Sequence, residues 1–239
     1  NSVNINADKF DNSDTKNEEN ALSGISSGSG DIVFNVDELN NNNGNIISGN
    51  NLVINNNSKN SDAILNENRM LGANNDISMD IKGDYLVSGN LSSNHSINIK
   101  AENIINNAEM TAGNNIHLSA YNVYNQNVDS NISKIVAEND LIIDAENSIV
   151  NYGHITAKNG DLILTTTGTD GGSGISNYGR IALIDNDNIL QLNSNSSISN
   201  NSGAFIFSNN KIDFNAKDEF YNGSNGLGSG IWALNDINI

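Results

Sequence analysis

One phrase recurs between Lys134 and Leu183. It runs Ala137-Glu138-Asn139-Asp140-Leu141-Ile142-Ile143, then Ile149-Val150-Asn151-Tyr152-Gly153-His154-Ile155-Thr156-Ala157-Lys158-Asn159-Gly160-Asp161-Leu162-Ile163-Leu164, then Ile175-Ser176-Asn177-Tyr178-Gly179-Arg180-Ile181-Ala182. The unit is an Asn-x-Gly turn, a short apolar alternation, a second turn ending in Asp, and another apolar alternation. A phrase repeated in one direction constrains the fold before any single residue does, because each copy must be one structural unit stacked on the next. With the second alternation as anchor, the phrase extends through Val3, Ile32, Leu52, Ile77, Ile97, Ile116, Leu141, Leu162, Ile189, Ile212 and Ile237. Successive differences are 29, 20, 25, 20, 19, 25, 21, 27, 23 and 25 residues, so the minimum unit is about 19 to 20 residues and the excess is looped out. Eleven coils are predicted.

Within each unit the apolar residues alternate with polar ones, as in Ile97-Asn98-Ile99-Lys100-Ala101 and Ile116-His117-Leu118-Ser119-Ala120. Period two buries one face of a strand, and no segment carries a helical period. Hairpins would not repeat one phrase in one direction at a near-constant interval, whereas a solenoid must. The expected fold is therefore all-β, a single-stranded parallel β-helix of about eleven coils with surface loop insertions. The chain has no proline, which suits strands hydrogen-bonded along both edges. Nor has it cysteine, which excludes a disulfide scaffold and thiol chemistry.

Asparagine is the commonest residue, with 52 copies punctuating the aliphatic strands. Asn106, Asn125, Asn151, Asn177, Asn200 and Asn222 fall at equivalent places. Asn tolerates tight turns, and its amide can bond the Asn of the coil above, so these residues are expected to form a structural ladder. A net charge of -17 makes nucleic acid and anionic membrane surfaces poor partners. There is no apolar run of about 18 residues, so the chain is read as not membrane-spanning. Both ends fall inside the repeat, which predicts a slice of a longer fibre.

The phrases Asn151-x-Gly153-x-Ile155-x-Ala157 and Asn177-x-Gly179-x-Ile181, each followed by an Asp- or Asn-led alternation, resemble the repeats of filamentous haemagglutinin and related two-partner secretion exoproteins. The resemblance covers most of Lys82 to Ile239. It implies a right-handed β-helix exported by an outer-membrane transporter partner, secreted and displayed on the surface of a Gram-negative bacterium. Within that group, contact-dependent growth inhibition effectors of CdiA type are similar in having regular coils that pass into a less regular receptor-binding segment. On this reading residues 1–81 are irregular coils with large loops and the candidate receptor-binding part, and residues 82–239 are more regular haemagglutinin-type coils of the same solenoid. The implied partner is an outer-membrane protein or surface glycan of a target cell. An adhesin or structural shaft is the alternative.

Departures from regularity are where recognition residues are sought, because insertions emerge from the surface of a rigid rod. Asp8 to Gly30 is one insertion, with Phe10 and Leu22 as expected apolar anchors among Asp11, Asp14, Glu18 and Glu19. Asn55 to Asp62, with Lys59, is a second. Later excursions are Gln126 to Ser133, Thr165 to Gly174 and Gly223 to Gly230. Aromatic residues are scarce, and Tyr152 and Tyr178 occupy the same place in neighbouring coils, with Tyr121 and Tyr124 expected one coil earlier and His154 and Arg180 alongside. This row is read either as a structural stack or as a contact stripe. Trp232 is expected to pack on the rod.

Some parallel β-helices are polysaccharide-degrading enzymes, which need convergent carboxylates and often a basic partner. Here Asp31, Asp76, Asp140, Asp161 and Asp236 each precede an anchor, a turn position that reads as structural. Asp140 and Asp161 lie close enough to suggest a weak cation site without a full ligand set. Thr169 to Gly174 is similar to a calcium nonapeptide repeat but occurs once, and His95, His117 and His154 are not spaced for zinc. No catalytic residue, metal or cofactor is expected.

Overall fold

A computed structural model of the chain describes residues 1–15, 24–60, 63–66, 70–170, 172–223 and 228–239. Among them there are strands and turns and no helix, and every strand pairing is parallel except for one isolated antiparallel bridge, Val128 to Asn131. The strands form a β-solenoid with three stacks. In the anchor stack Val3, Ile32, Leu52, Ile77, Ile97, Ile116, Leu141, Leu162, Leu190, Ile212 and Ile237 are register partners in succession. The second stack aligns Tyr85, Ile104, Val123, Ile149, Ile175, Ile198 and Phe220. The third aligns Leu91, Met110, Ile135, Ile155, Ile181, Ile206 and Ile231.

Strands Val3–Asp11, Ile32–Asn40, Ile116–Asn125 and Leu141–Asn151 run through the first two stacks, which merges these into one sheet, while the third stack is a separate sheet of ten strands. Alternation carries every second side chain inward, and the three inward faces meet in one continuous aliphatic core. The anchor register differs from expectation at one place. Leu190, not Ile189, faces Leu162, and Leu192 faces Leu164. Both leucines are buried and Ile189 is half-buried, because a slip of one residue exchanges the two faces of a strand.

The rod amounts to about nine turns, fewer than the eleven coils expected. Terminal anchors account for the difference. Ile237–Asn238 opens a coil and is followed by a single residue, and among the described residues the first coil joins the third stack through the two-residue strand Ile25–Ser26. Nine turns at about 4.8 Å give a rod roughly 43 Å long.

Four of the five aligned acids are turn caps. Asp31 Oδ1 accepts from the Asn51 N–H at 3.1 Å, Asp76 Oδ1 from Ser96 at 3.0 Å, Asp140 Oδ1 from Asp161 at 2.9 Å and Asp161 Oδ1 from Ile189 at 2.9 Å. Each carboxylate thus satisfies a backbone donor of the following coil at the turn, where no strand partner is available. Asp140 and Asp161 are close, as expected, and their contact is this cap.

Candidate functional site

The asparagine ladder decides where the surface side chains stand. From Asn106 onward each Nδ2 donates to the Oδ1 of the next coil, through Asn125, Asn151 and Asn177 to Asn200 at 2.8 Å per step, and to Asn222 at 2.9 Å. The ladder also has an earlier section, Asn12 to Asn41 at 2.6 Å and Asn41 to Asn66 at 2.7 Å. From Asn106 to Asn200 the amide also bonds a carbonyl at the start of the third stack one coil on. Asn106 reaches Lys134 O at 3.1 Å, Asn125 reaches His154 O at 3.2 Å, Asn151 reaches Arg180 O at 3.1 Å and Asn177 reaches Phe205 O at 3.3 Å. Buried amides therefore fix the backbone of the residues that open the third-stack strands.

Those opening residues form an outward row. Glu109 pairs with Lys134, Lys134 with His154, His154 with Arg180, and Arg180 with Phe205. Beside it, one turn earlier in each coil, Tyr152 and Tyr178 stack with centroids 4.7 Å apart and planes 9° from parallel. Their exposures are 46% and 44%, so the pair presents its edges and hydroxyls to solvent. Between each tyrosine and the basic residue after it sits a glycine with no room for a side chain. A Cβ on Gly179 would collide with the Gly153 carbonyl oxygen, and one on Gly153 with the Ser133 carbonyl oxygen. The phrase Asn-Tyr-Gly-His/Arg is thus an inward amide, an outward ring, a close backbone contact and an outward basic side chain.

Electrostatically the row carries the positive charges of Lys134 and Arg180 on either side of a histidine, within an acidic protein. His154 has its pKa held below the ordinary 6.5, first by partial burial and then by the Arg180 and Lys134 charges. Lys134 has Glu109 at 3.7 Å, and among the described residues Arg180 has no ion pair. Further along, Phe207 stacks on Trp232 at 4.9 Å and 6°, with Trp232 43% exposed. Trp232 packs on the rod through this ring. The Phe205 ring lies over Gly230, whose missing side chain leaves space for it.

Other expected site residues lie apart from this row. Phe10 is not on a loop: it belongs to strand Val3–Asp11, pairs with Leu39 and packs 5.5 Å from the Phe34 ring, half-buried against the core. The expected insertion from Asp8 therefore starts later, because Ala7, Lys9, Phe10 and Asp11 are all register partners of strand Ile32–Asn40. Asp11 accepts from the Ser13 N–H at 2.8 Å, a bond that together with the Ser13 side chain lowers its pKa. Asp14 has a left-handed backbone, φ 53°, and accepts from Asn43 at 2.9 Å. Glu18, Glu19 and Leu22 lie outside the described residues. Lys59 is exposed beside the backbone of Gly83.

Tyr121 and Tyr124 do not continue the tyrosine column. Asn125 pairs with Asn151, and the Tyr152 N–H bonds Asn125 O at 2.7 Å, which places Gln126 before Tyr152. Tyr124 lies on the outer face of the second stack between Ile105 and Val150. Tyr121 projects at the register shift between Ala120 and Asn122, over an open groove of about 380 Å³ lined by Lys100, Glu102 and Glu146. The residues missed in the sequence are Lys134, Phe205 and Phe207. Aligning Ile135, Ile155, Ile181 and Ile206 and reading one residue back would have found the first two.

Compared with protein-family models, curated proteins and solved structures, the chain matches none. Its chemistry is therefore read from the row itself. Among the described residues no three His, Cys, Asp or Glu side chains gather as a metal site, and no helix is long and apolar enough to cross a membrane. The row offers rings, tyrosine hydroxyls and positive charge on a backbone fixed from inside.

Proposed function

We propose that this chain is a non-catalytic recognition segment of a bacterial cell-surface filament, binding a partner on the surface of a neighbouring cell. The observation that carries the reading is the register of Tyr152 on Tyr178 and of Lys134, His154 and Arg180 beside them, on one side of a rod whose backbone is locked by buried amides. Tyr and Arg are favoured contact residues, and a preformed surface avoids the entropy of ordering them on binding. The likeness to growth inhibition effectors extends the proposal: export through an outer-membrane transporter, display on a Gram-negative cell, and engagement of an outer-membrane receptor on the next cell. Aligned carboxylates engaged as turn caps support a role without catalysis.

The test is saturable binding of the labelled chain to intact Gram-negative cells. Tyr152→Ser with Tyr178→Ser is expected to weaken it at least tenfold with the unfolding midpoint nearly unchanged. Absence of saturable binding by the unaltered chain would leave the shaft reading, in which the rod only spaces other domains.

A further inference from the structure

The proposed recognition role leaves the partner's chemistry open, and the basic side chains of the row restrict it. We infer that Lys134, His154 and Arg180, with Tyr152, Tyr178 and Phe205, form a binding site for a linear acidic glycan bearing carboxylates, a uronic-acid polymer. The inference rests on the recognition reading and adds the ligand class.

Charge placement is the first argument. The chain has 11 basic residues against 28 acids, and half of the described lysines are held next to an acid elsewhere on the rod. Lys9 sits 2.6 Å from Glu38, Lys82 3.4 Å from Asp80, Lys158 2.5 Å from Glu138 and Lys211 3.0 Å from Asp213. In the third-stack row three successive coils carry the basic residues Lys134, His154 and Arg180; Lys134 has Glu109, the one acid of that run, at 3.7 Å, and among the described residues Arg180 has no ion pair. With a screening length of about 8 Å at physiological salt, a ligand on the row responds to these groups more than to the charge of the whole rod.

Spacing supplies the second argument. Coils rise by about 4.8 Å, so Lys134 and Arg180 stand roughly 9.6 Å apart along the rod, with His154 between. An extended acidic peptide shows same-side residues about every 6.8 Å, out of step with the row. A flat uronic-acid chain with a two-residue screw repeat shows same-side carboxylates every second monomer, a spacing close to two coils. Arg offers a planar fork that matches a carboxylate bidentately.

The rings complete the site. Phe205 follows Arg180 in the row, 41% exposed, its ring lying over Gly230, and presents an apolar surface for the C–H face of a sugar ring. The tyrosine hydroxyls both donate and accept, as sugar hydroxyls require. A neutral glycan would use the rings and leave the cations unmatched; an anionic vesicle would match the cations and leave the rings unused.

Calorimetric titration of the whole chain with a uronic-acid hexasaccharide, a neutral glucan hexasaccharide, a poly-glutamate peptide and anionic-lipid vesicles tests this. Expected is binding of the uronate alone or at least tenfold more tightly than the others, weakening with added salt. Lys134→Gln with Arg180→Gln should lose at least tenfold, and Arg180→Lys should lose less than Arg180→Gln. Failure to bind the uronate, equal binding of the neutral glucan, a preference for peptide or vesicles, or an unaffected double variant would overturn the assignment. If the double variant loses the uronate yet binds cells undiminished, the glycan falls and the recognition reading stands. If the unaltered chain binds the uronate but not cells, the recognition reading falls and the glycan site stands.

Discussion

Two residues show how local chemistry propagates along the rod. Val87 occupies the ladder column between Asn66 and Asn106, paired with Asn106. Each ladder amide donates to the next coil, and a valine has nothing to donate, so Asn106 Oδ1 is buried without a partner. Val87→Asn restores the amide of the column and aims a donor at that oxygen. It is expected to raise stability by about 1 kcal/mol, measured as an increased denaturant midpoint at unchanged slope. The converse, Asn151→Leu, removes the ladder donor of Asn177 Oδ1, leaving it only the Gly179 N–H at 3.2 Å, and frees the Arg180 carbonyl, and should cost about 2 to 4 kcal/mol. His154 gives a readable titration. Its pKa in the folded chain lies below 6.5, so the unfolded chain binds the proton more readily and this contribution to stability is full above pH 6.5 and lost as pH falls through the folded value. In a nuclear magnetic resonance titration Arg180→Gln should move the His154 midpoint upward, since it removes a repelling charge.

At the scale of the element, strand side chains alternate between the core and the surface, and the turns at Gly153 and Gly179 pack directly against the backbone of the preceding coil. Leu162 is fully buried between Leu141 and Leu190. Leu162→Asp puts an unpaired charge there and is expected to cost several kcal/mol, read as a large drop in unfolding midpoint. Gly179→Ala should also destabilise, by more than an ordinary surface Gly→Ala change, because the neighbour it meets is a backbone carbonyl that cannot swing aside. The same packing limits loop surgery. A shortened first loop must spare Phe10, which covers Phe34, and Asn12, which begins the ladder.

For the whole molecule, parallel stacking makes stability a sum over neighbours, so damage to one coil weakens its two interfaces first. Far-ultraviolet circular dichroism should show β structure with negligible helix, since strands and turns account for the described residues. The rod also turns sequence repetition into a surface grid: columns run along the axis at one coil per step, and any two columns keep their separation. A ligand that is itself a repeating polymer is the natural match for such a grid.

The solenoid, the inward faces and most of the Asn ladder were legible because they follow from local alternation and recurrence, which strand geometry converts directly into position. Ile155, Leu162, Leu164 and Ile181 needed no tertiary information to be placed in the core. The row was legible only in part. Tyr152, Tyr178, His154 and Arg180 share an obvious phrase, while Lys134 is 20 residues before His154, Arg180 is 26 after it and Phe205 a further 25 on. Unequal loops break the spacing, so column membership is set by hydrogen-bonded register and not by distance along the chain. That register put Gln126, not Tyr121 or Tyr124, beneath Tyr152, moved the ninth anchor to Leu190 and drew Phe10 into a strand. Local pattern determines which way a side chain faces; the backbone pairing between coils determines which side chains it meets.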